Sequence, residues 1–121
     1  MVRTTKNDFE YFKKRCLYWA KELGLLYYRL YFEHESIEGK QATYSVNPEA
    51  SEVVLTFSKE WSDIVPKTKK SINHLAFHEM VEILLVGLRR WAGEYIQYDK
   101  LNEETHKIVS AIENLVLGVE V

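Results

Sequence analysis

Between residues 7 and 23 apolar side chains return at helical spacing, through Phe9, Phe12, Cys16, Trp19, Ala20 and Leu23, which predicts an amphipathic first helix. Asn7 and Glu10 stand in capping-box relation at its start, and Gly24 supplies a stop. From residue 26 to residue 33 the period changes to two: Leu26, Tyr28, Leu30 and Phe32 alternate with Tyr27, Arg29, Tyr31 and Glu33, the pattern of a strand with one buried face. Residues 41–46 alternate through Ala42, Tyr44 and Val46, and residues 52–57 through Val53, Leu55 and Phe57, with the turn-prone Asn47-Pro48-Glu49-Ala50-Ser51 between them. Three strands in succession predict an antiparallel meander.

Residues 59–66 are expected to be a connector with at most a short turn near Trp61, because Pro66 biases Val65 away from helix. A second helix is predicted over 71–91, weakened only by Gly87, and a further connector from Gly93 to Lys100. Asn102 is a good N-cap for a last helix whose apolar face is Ile108, Val109, Ile112, Leu115 and Val116. The layout is an α+β domain: an N-terminal helix, a three-stranded antiparallel sheet, a second helix and a C-terminal helix. At 121 residues the chain is expected to be a single domain spanning 1–121.

The second helix carries the candidate chemistry. Stepping from Leu75 by three and four gives His78, Glu79, Glu82, Leu85 and Val86, a stripe with apolar ends and an ionisable middle. Three ionisable groups on a core-facing stripe need compensation, and a bound cation is the simplest form of it. Residues four apart lie one turn apart on the same face, so His78 and Glu82 can converge on one ion. In His78-Glu79-Met80-Val81-Glu82 the outer residues would hold the metal, and Glu79 would accept a proton from water that the metal has acidified. A third ligand is needed. His106, near the start of the last helix, is the favoured one, with Glu103, Glu104 and Glu113 as rivals; His74 lies four residues before His78 but rotates off the stripe. Glu113 could instead hydrogen-bond His106 and fix its tautomer.

The H-E-x-x-E string departs from the H-E-x-x-H of zincins in its last position. Together with the QATYSVNPEASEVVLTFSKEW hairpin, the LAFHEMVEILL helix and the EETHKIVSAIENLV tail, it resembles the small zincin-like domains typified by SprT-like and ImmA/IrrE-like metallopeptidases. The closest resemblance is to minimal metallopeptidase-like proteins encoded by phages and prophages. The resemblance implies a zincin-like fold, with His78 as first zinc ligand, Glu79 as catalytic carboxylate, Glu82 at the second ligand position and His106 as candidate third. It implies a zinc-dependent hydrolase, a metallopeptidase acting on peptide or protein. Glu82 adds negative charge beside the metal, which makes bound water less acidic and admits another divalent ion, so enzymatic activity stays open. The alternative is a catalytically inactive interaction protein that keeps the fold and binds a host factor.

Composition narrows the partners. A net charge of −2 gives no footprint for non-specific nucleic-acid binding, which leaves a stacking platform on Tyr27, Arg29 and Tyr31 as a third and weaker reading. For a peptidase, an edge strand beside the metal-site helix is the expected place to hold an extended peptide. One cysteine, Cys16, excludes an intramolecular disulfide, and the sequence has no secretory h-region and no apolar run of membrane-spanning length; a cytoplasmic protein is expected. Cys16 sits on the apolar face of the first helix as core filler, and Trp61 and Trp91 are expected to anchor the connectors around the second helix.

Overall fold

The computed structural model describes residues 2–93 and 97–118, the Trp91 side chain excepted. In chain order the elements are β1 (Val2–Arg3), α1 (Lys6–Glu22), β2 (Arg29–Glu35), β3 (Ala42–Asn47), β4 (Glu52–Ser58), β5 (Glu60–Trp61), α2 (Lys69–Leu84), α3 (Val86–Ala92) and α4 (Tyr98–Leu117). The α+β class holds.

The first helix starts earlier than the Asn7 cap, on Thr5. Thr5 Oγ1 accepts from the Asp8 amide at 3.1 Å and Asp8 Oδ2 accepts from the Thr5 amide at 2.8 Å, so the capping box is Thr5/Asp8 rather than Asn7/Glu10. Asp8 Oδ2 also takes the Lys67 ammonium at 2.7 Å; partial burial would raise its carboxyl, but the hydrogen bonds from Lys67 and Thr5 and the Lys67 charge together hold it below the ordinary value. The helix buries Phe12, Cys16 and Ala20, at spacing four, completely. Gly24, with φ +73, turns the chain, and the Leu25 amide donates back to Ala20 at 2.8 Å, which buries Leu25. This turn uses up the residues through Tyr28, so the strand expected from Leu26 begins at Arg29.

The sheet is not the antiparallel meander. Its order is β2-β4-β3, with β2 parallel and β3 antiparallel to the central β4. The reason lies in the strands themselves. Val53, Leu55 and Phe57 of β4 are completely buried and Val54 and Thr56 back them, which suits a strand with neighbours on both sides. The outward positions of β2 (Arg29, Tyr31, Glu33, Glu35) and of β3 (Ser45, Asn47) are exposed and mostly polar, which suits edges. Alternation identifies strands and faces; it does not order neighbours. The connector expected over 59–66 contains β5, which pairs antiparallel with β1 through Val2↔Trp61 and Arg3↔Glu60. Thr4 continues that seam, its hydroxyl donating to Ser58 O at 2.6 Å.

Helices α1 and α2 cover one face of the sheet, and the main core gathers Phe12, Cys16, Leu55, Phe57, Ile72 and Met80 between them. Asn73 fastens the two helices: its Oδ1 accepts from Arg15 Nε at 2.7 Å and from Trp19 Nε1 at 2.9 Å. The helix expected over 71–91 begins at a Thr68/Ser71 capping box and divides at Leu85, whose amide is shared between Val81 O and Glu82 O. α4 begins at Tyr98, one turn before Asn102, which lies inside the helix with its amide oxygen accepting from Arg89 at 3.2 Å. The connector expected from Gly93 to Lys100 lies partly outside the described residues, as does the Trp91 side chain. Val109 and Thr105 are the buried positions of α4, with Val109 packed on Phe77 and Val81; Ile108, Leu115 and Val116, expected inward, are exposed. No described helix is long and apolar enough to cross a membrane.

Replacing Asn73 with Ala strips the acceptor from a partly buried indole N–H and a guanidinium at once. The expected outcome is a loss of about 1–3 kcal/mol, read as a lower urea midpoint at unchanged m-value, with Asn73→Asp far closer to wild type.

Candidate active site

α2 leans on β3 and α4, and a cavity of about 680 Å³ opens between them. His78, Glu79 and Glu82 of α2 line it, facing Lys40 and Tyr44 from β3 and the residues before it, Arg89 from α3, and Asn102 and His106 from α4. The helix phase that the sequence predicts for His78 and Glu82 is the one observed: His78 Nε2 and Glu82 Oε2 are 2.6 Å apart.

The other ring nitrogen is also occupied. His78 Nδ1 lies 3.1 Å from Glu113 Oε1, and the second oxygen of that carboxylate lies 2.5 Å from His74 Nε2. Carboxylates only accept, so an imidazole with one on each side carries both protons. The Glu82 hydrogen bond, aided by Glu113 against partial burial, raises the His78 pKa from 6.5 to about 9. Burial would raise Glu82, but the His78 bond and the charges of His78, His106 and Arg89 hold it below the ordinary carboxylate value. The Tyr44 hydroxyl donates to Glu82 Oε1 at 3.4 Å and accepts from Arg89 Nη1 at 3.5 Å; burial, then the Glu82 charge, push that phenol to about 12.

Glu79 differs from its neighbours. It is 5% exposed and lines the cavity. Burial first, then the Glu82 charge, raises its pKa from 4.5 to about 8, opposed by His78 and Lys40. Beneath it, burial and the Glu79 charge push the Cys16 thiol well above its usual range, which keeps that sulfur protonated and unreactive.

The donors for a cation are unevenly arranged. His78 Nε2 and Glu82 Oε2 point at each other and share a hydrogen bond here, and His106, although exposed, lines the same cavity and acts on Glu82 through its charge. Among the described residues, however, no three His, Cys, Asp or Glu side chains are gathered into a group that could hold a metal. The pair is closed on itself by a hydrogen bond, and no third donor joins it among the described residues. Of the rivals for the third place, Glu103 and Glu104 turn to Lys107 at 3.6 and 3.1 Å, and Glu113 binds the far side of His78 rather than joining Glu82. Glu113 therefore fixes the orientation of His78 rather than of His106, the histidine expected from the sequence, and His74 is drawn in through it. His34, the remaining histidine, is engaged elsewhere, stacked on Phe9 at 4.9 Å and bonded to Thr4.

Arg89 and Tyr44 were not singled out as site residues. Arg89 lies beyond the Leu85 turn and Tyr44 is one of a series of strand aromatics, so only the tertiary arrangement joins them to Glu82. The edge of β3 runs along the cavity, as expected for a strand that would hold an extended peptide. Gln41 O accepts from the Ser58 amide at 2.9 Å, which in this register directs the main-chain groups of Ala42, Tyr44 and Val46 away from β4 to the free edge. The Tyr27–Tyr31 face offers less to a nucleic acid: Arg29 is held by Glu52 at 3.0 Å, and Glu33 and Glu35 lie exposed on the same face.

These shifts give the metal-free protein a directional pH dependence. His78 holds its proton more tightly folded than unfolded, so its contribution is complete below 6.5 and fades as pH rises through about 9. Glu79 is protonated when folded and ionised when unfolded between 4.5 and about 8, so it too makes stability fall as pH rises across that window. In EDTA the melting temperature is expected to fall from pH 6 to pH 9, and Glu79→Gln should flatten the lower part of that slope; a rise over the same range would contradict both assignments.

The chain matches no family model, and no curated protein or solved structure matches it.

Proposed function

We propose that the cavity is the active site of a zincin-like, metal-dependent hydrolase that cleaves peptide bonds. The observation that carries this reading is geometric: the largely buried Glu79 faces the same cavity as the closely opposed His78 and Glu82, beside an unpaired strand edge. His78 and Glu82 are the residues that would hold zinc or another divalent ion, with His106 as the third donor. Such an ion supplies Lewis-acid polarisation of a carbonyl and acidifies water.

The chain's own groups do the rest. Glu113 holds His78 by Nδ1 and so turns Nε2 into the cavity. Ala42 and Tyr44 offer outward amides and carbonyls that hold an extended substrate by strand addition. Glu79, in its ionised form, takes the proton of the attacking water and returns it to the leaving amine. The lone, buried Cys16 suits the reducing cytoplasm in which we place the protein.

A second reading has its own support. Both nitrogens of His78 are satisfied by carboxylates and no three donors are gathered among the described residues, an arrangement that a metal-free binding protein would also hold. In that case the polar seam is a structural ion-pair network and the cleft binds a protein partner without cleaving it.

Protein purified without chelator or histidine tag separates the two. Wild type is expected to bind zinc with release of protons in calorimetry, since His78 must give up its Nε2 proton, while His78→Ala loses the metal and the proton signal. Glu79→Gln should keep zinc and lower the cleavage of unfolded casein by about 10²-fold or more. Full activity in Glu79→Gln would remove Glu79 as base. Wild type that takes up no zinc would favour the binding protein, and unchanged zinc affinity in His106→Ala would remove His106 from the ligand set.

A further inference from the structure

A second cavity, of about 340 Å³, meets the first at Gln41, Leu75 and His78. Trp61, Val65 and Leu75 form its apolar walls. It lies past the Ala42 end of the free β3 edge, in line with the main-chain groups that would bind an extended chain.

The pocket is built rather than incidental. Trp61 is held by its β5 pairing and donates its indole N–H to Val65 O at 2.8 Å, which fixes the loop that forms the outer wall. The charged groups at its margin are engaged, with Glu113 joined to both His74 and His78, and Ser71 Oγ donates to Thr68 O and Pro66 O. A charged side chain entering here would meet no free countercharge among these groups, whereas an apolar one would meet aliphatic and indole surface. The rim continues this character, with Val65 exposed and its neighbour Ile64 91% exposed.

We infer that this pocket selects the substrate: it takes one large apolar side chain of a peptide laid along the β3 edge, immediately beside the reacting bond. The inference rests on the strand-addition reading given above. Leu, Ile, Phe or Met fits it; Asp, Glu, Lys and Gly do not. Leu75 and Val65 are the specificity-determining residues, and neither takes part in proton transfer.

Peptide binding tests this without any need for turnover. The probes are fluorescein-labelled alanine-based octapeptides in which one central residue is Leu, Phe, Gly, Asp or Lys. They are titrated by anisotropy into the full chain carrying Glu79→Gln, with amide shifts of Ala42 and Tyr44 followed by NMR. The Leu and Phe peptides are expected to bind about tenfold tighter than the Gly peptide, with the Asp peptide no tighter than Gly. Leu75→Trp, which fills the pocket, should reduce the Leu/Gly ratio to below about twofold. Val65→Asp, at an exposed rim position, should do the same while improving the Lys peptide, and it carries the test should Leu75→Trp fail to fold. Equal binding of Leu and Gly peptides, a ratio unmoved by the folded variants, or no binding of any peptide overturns the inference. Apolar-selective binding by a wild type that takes up no zinc and cleaves nothing would instead sink hydrolysis and leave the pocket assignment standing.

Discussion

Glu113 reaches from α4 to two histidines one turn apart on α2, and the cleft takes its shape from that contact. One carboxylate oxygen meets His74 and the other meets His78, so α4 is fixed against α2 at the level of the site as well as through the apolar packing of Val109 on Phe77 and Val81. With Nδ1 so engaged, the ring of His78 has one remaining nitrogen, and it faces Glu82. A carboxylate that binds two partners at once limits the rotation of both, which makes the orientation of His78 a property of the helix pair rather than of its own rotamer.

The polar seam around it is balanced group by group. Glu82 stands among His78, His106, Arg89 and the Tyr44 hydroxyl, while Glu79, one helical step away, has burial against it and little to offset that burial. Two carboxylates three residues apart thus have opposite tendencies, because Glu82 is hydrogen-bonded to His78 among nearby cations while Glu79 is more deeply buried and stands beside the Glu82 charge. Environments that drive neighbouring acids apart are characteristic of sites where protons move, and also occur in structural networks.

Much of this was legible in the sequence. Residues His78 and Glu82 converge because a spacing of four is decided by helix geometry alone, and the inward turn of Glu113 follows from its place on the face of Val109. What was hidden depends on the partners that strands and helix ends acquire. The alternation in β2, β3 and β4 gave the faces but could not show that β4 lies between the other two. Asn102 has the chemistry of an N-cap, yet Arg89 occupies its amide oxygen and the helix begins a turn earlier. The two-residue pairing of β1 with β5 is too short to leave a periodicity, and Arg89 and Tyr44 enter the site only through the turn at Leu85 and the packing of β3 on α2.

The position of β4 also governs how the sheet can be assembled. β2 and β3 precede it in the chain but do not touch each other in the ladder; each pairs only with β4. A nascent chain that has completed β3 therefore has no sheet at all. The local β3–β4 hairpin closes over a short turn, whereas the parallel β2–β4 ladder spans a longer loop and carries the greater entropic cost. The strand that finishes the sheet during synthesis is the same one that leaves the β3 edge open to the cleft.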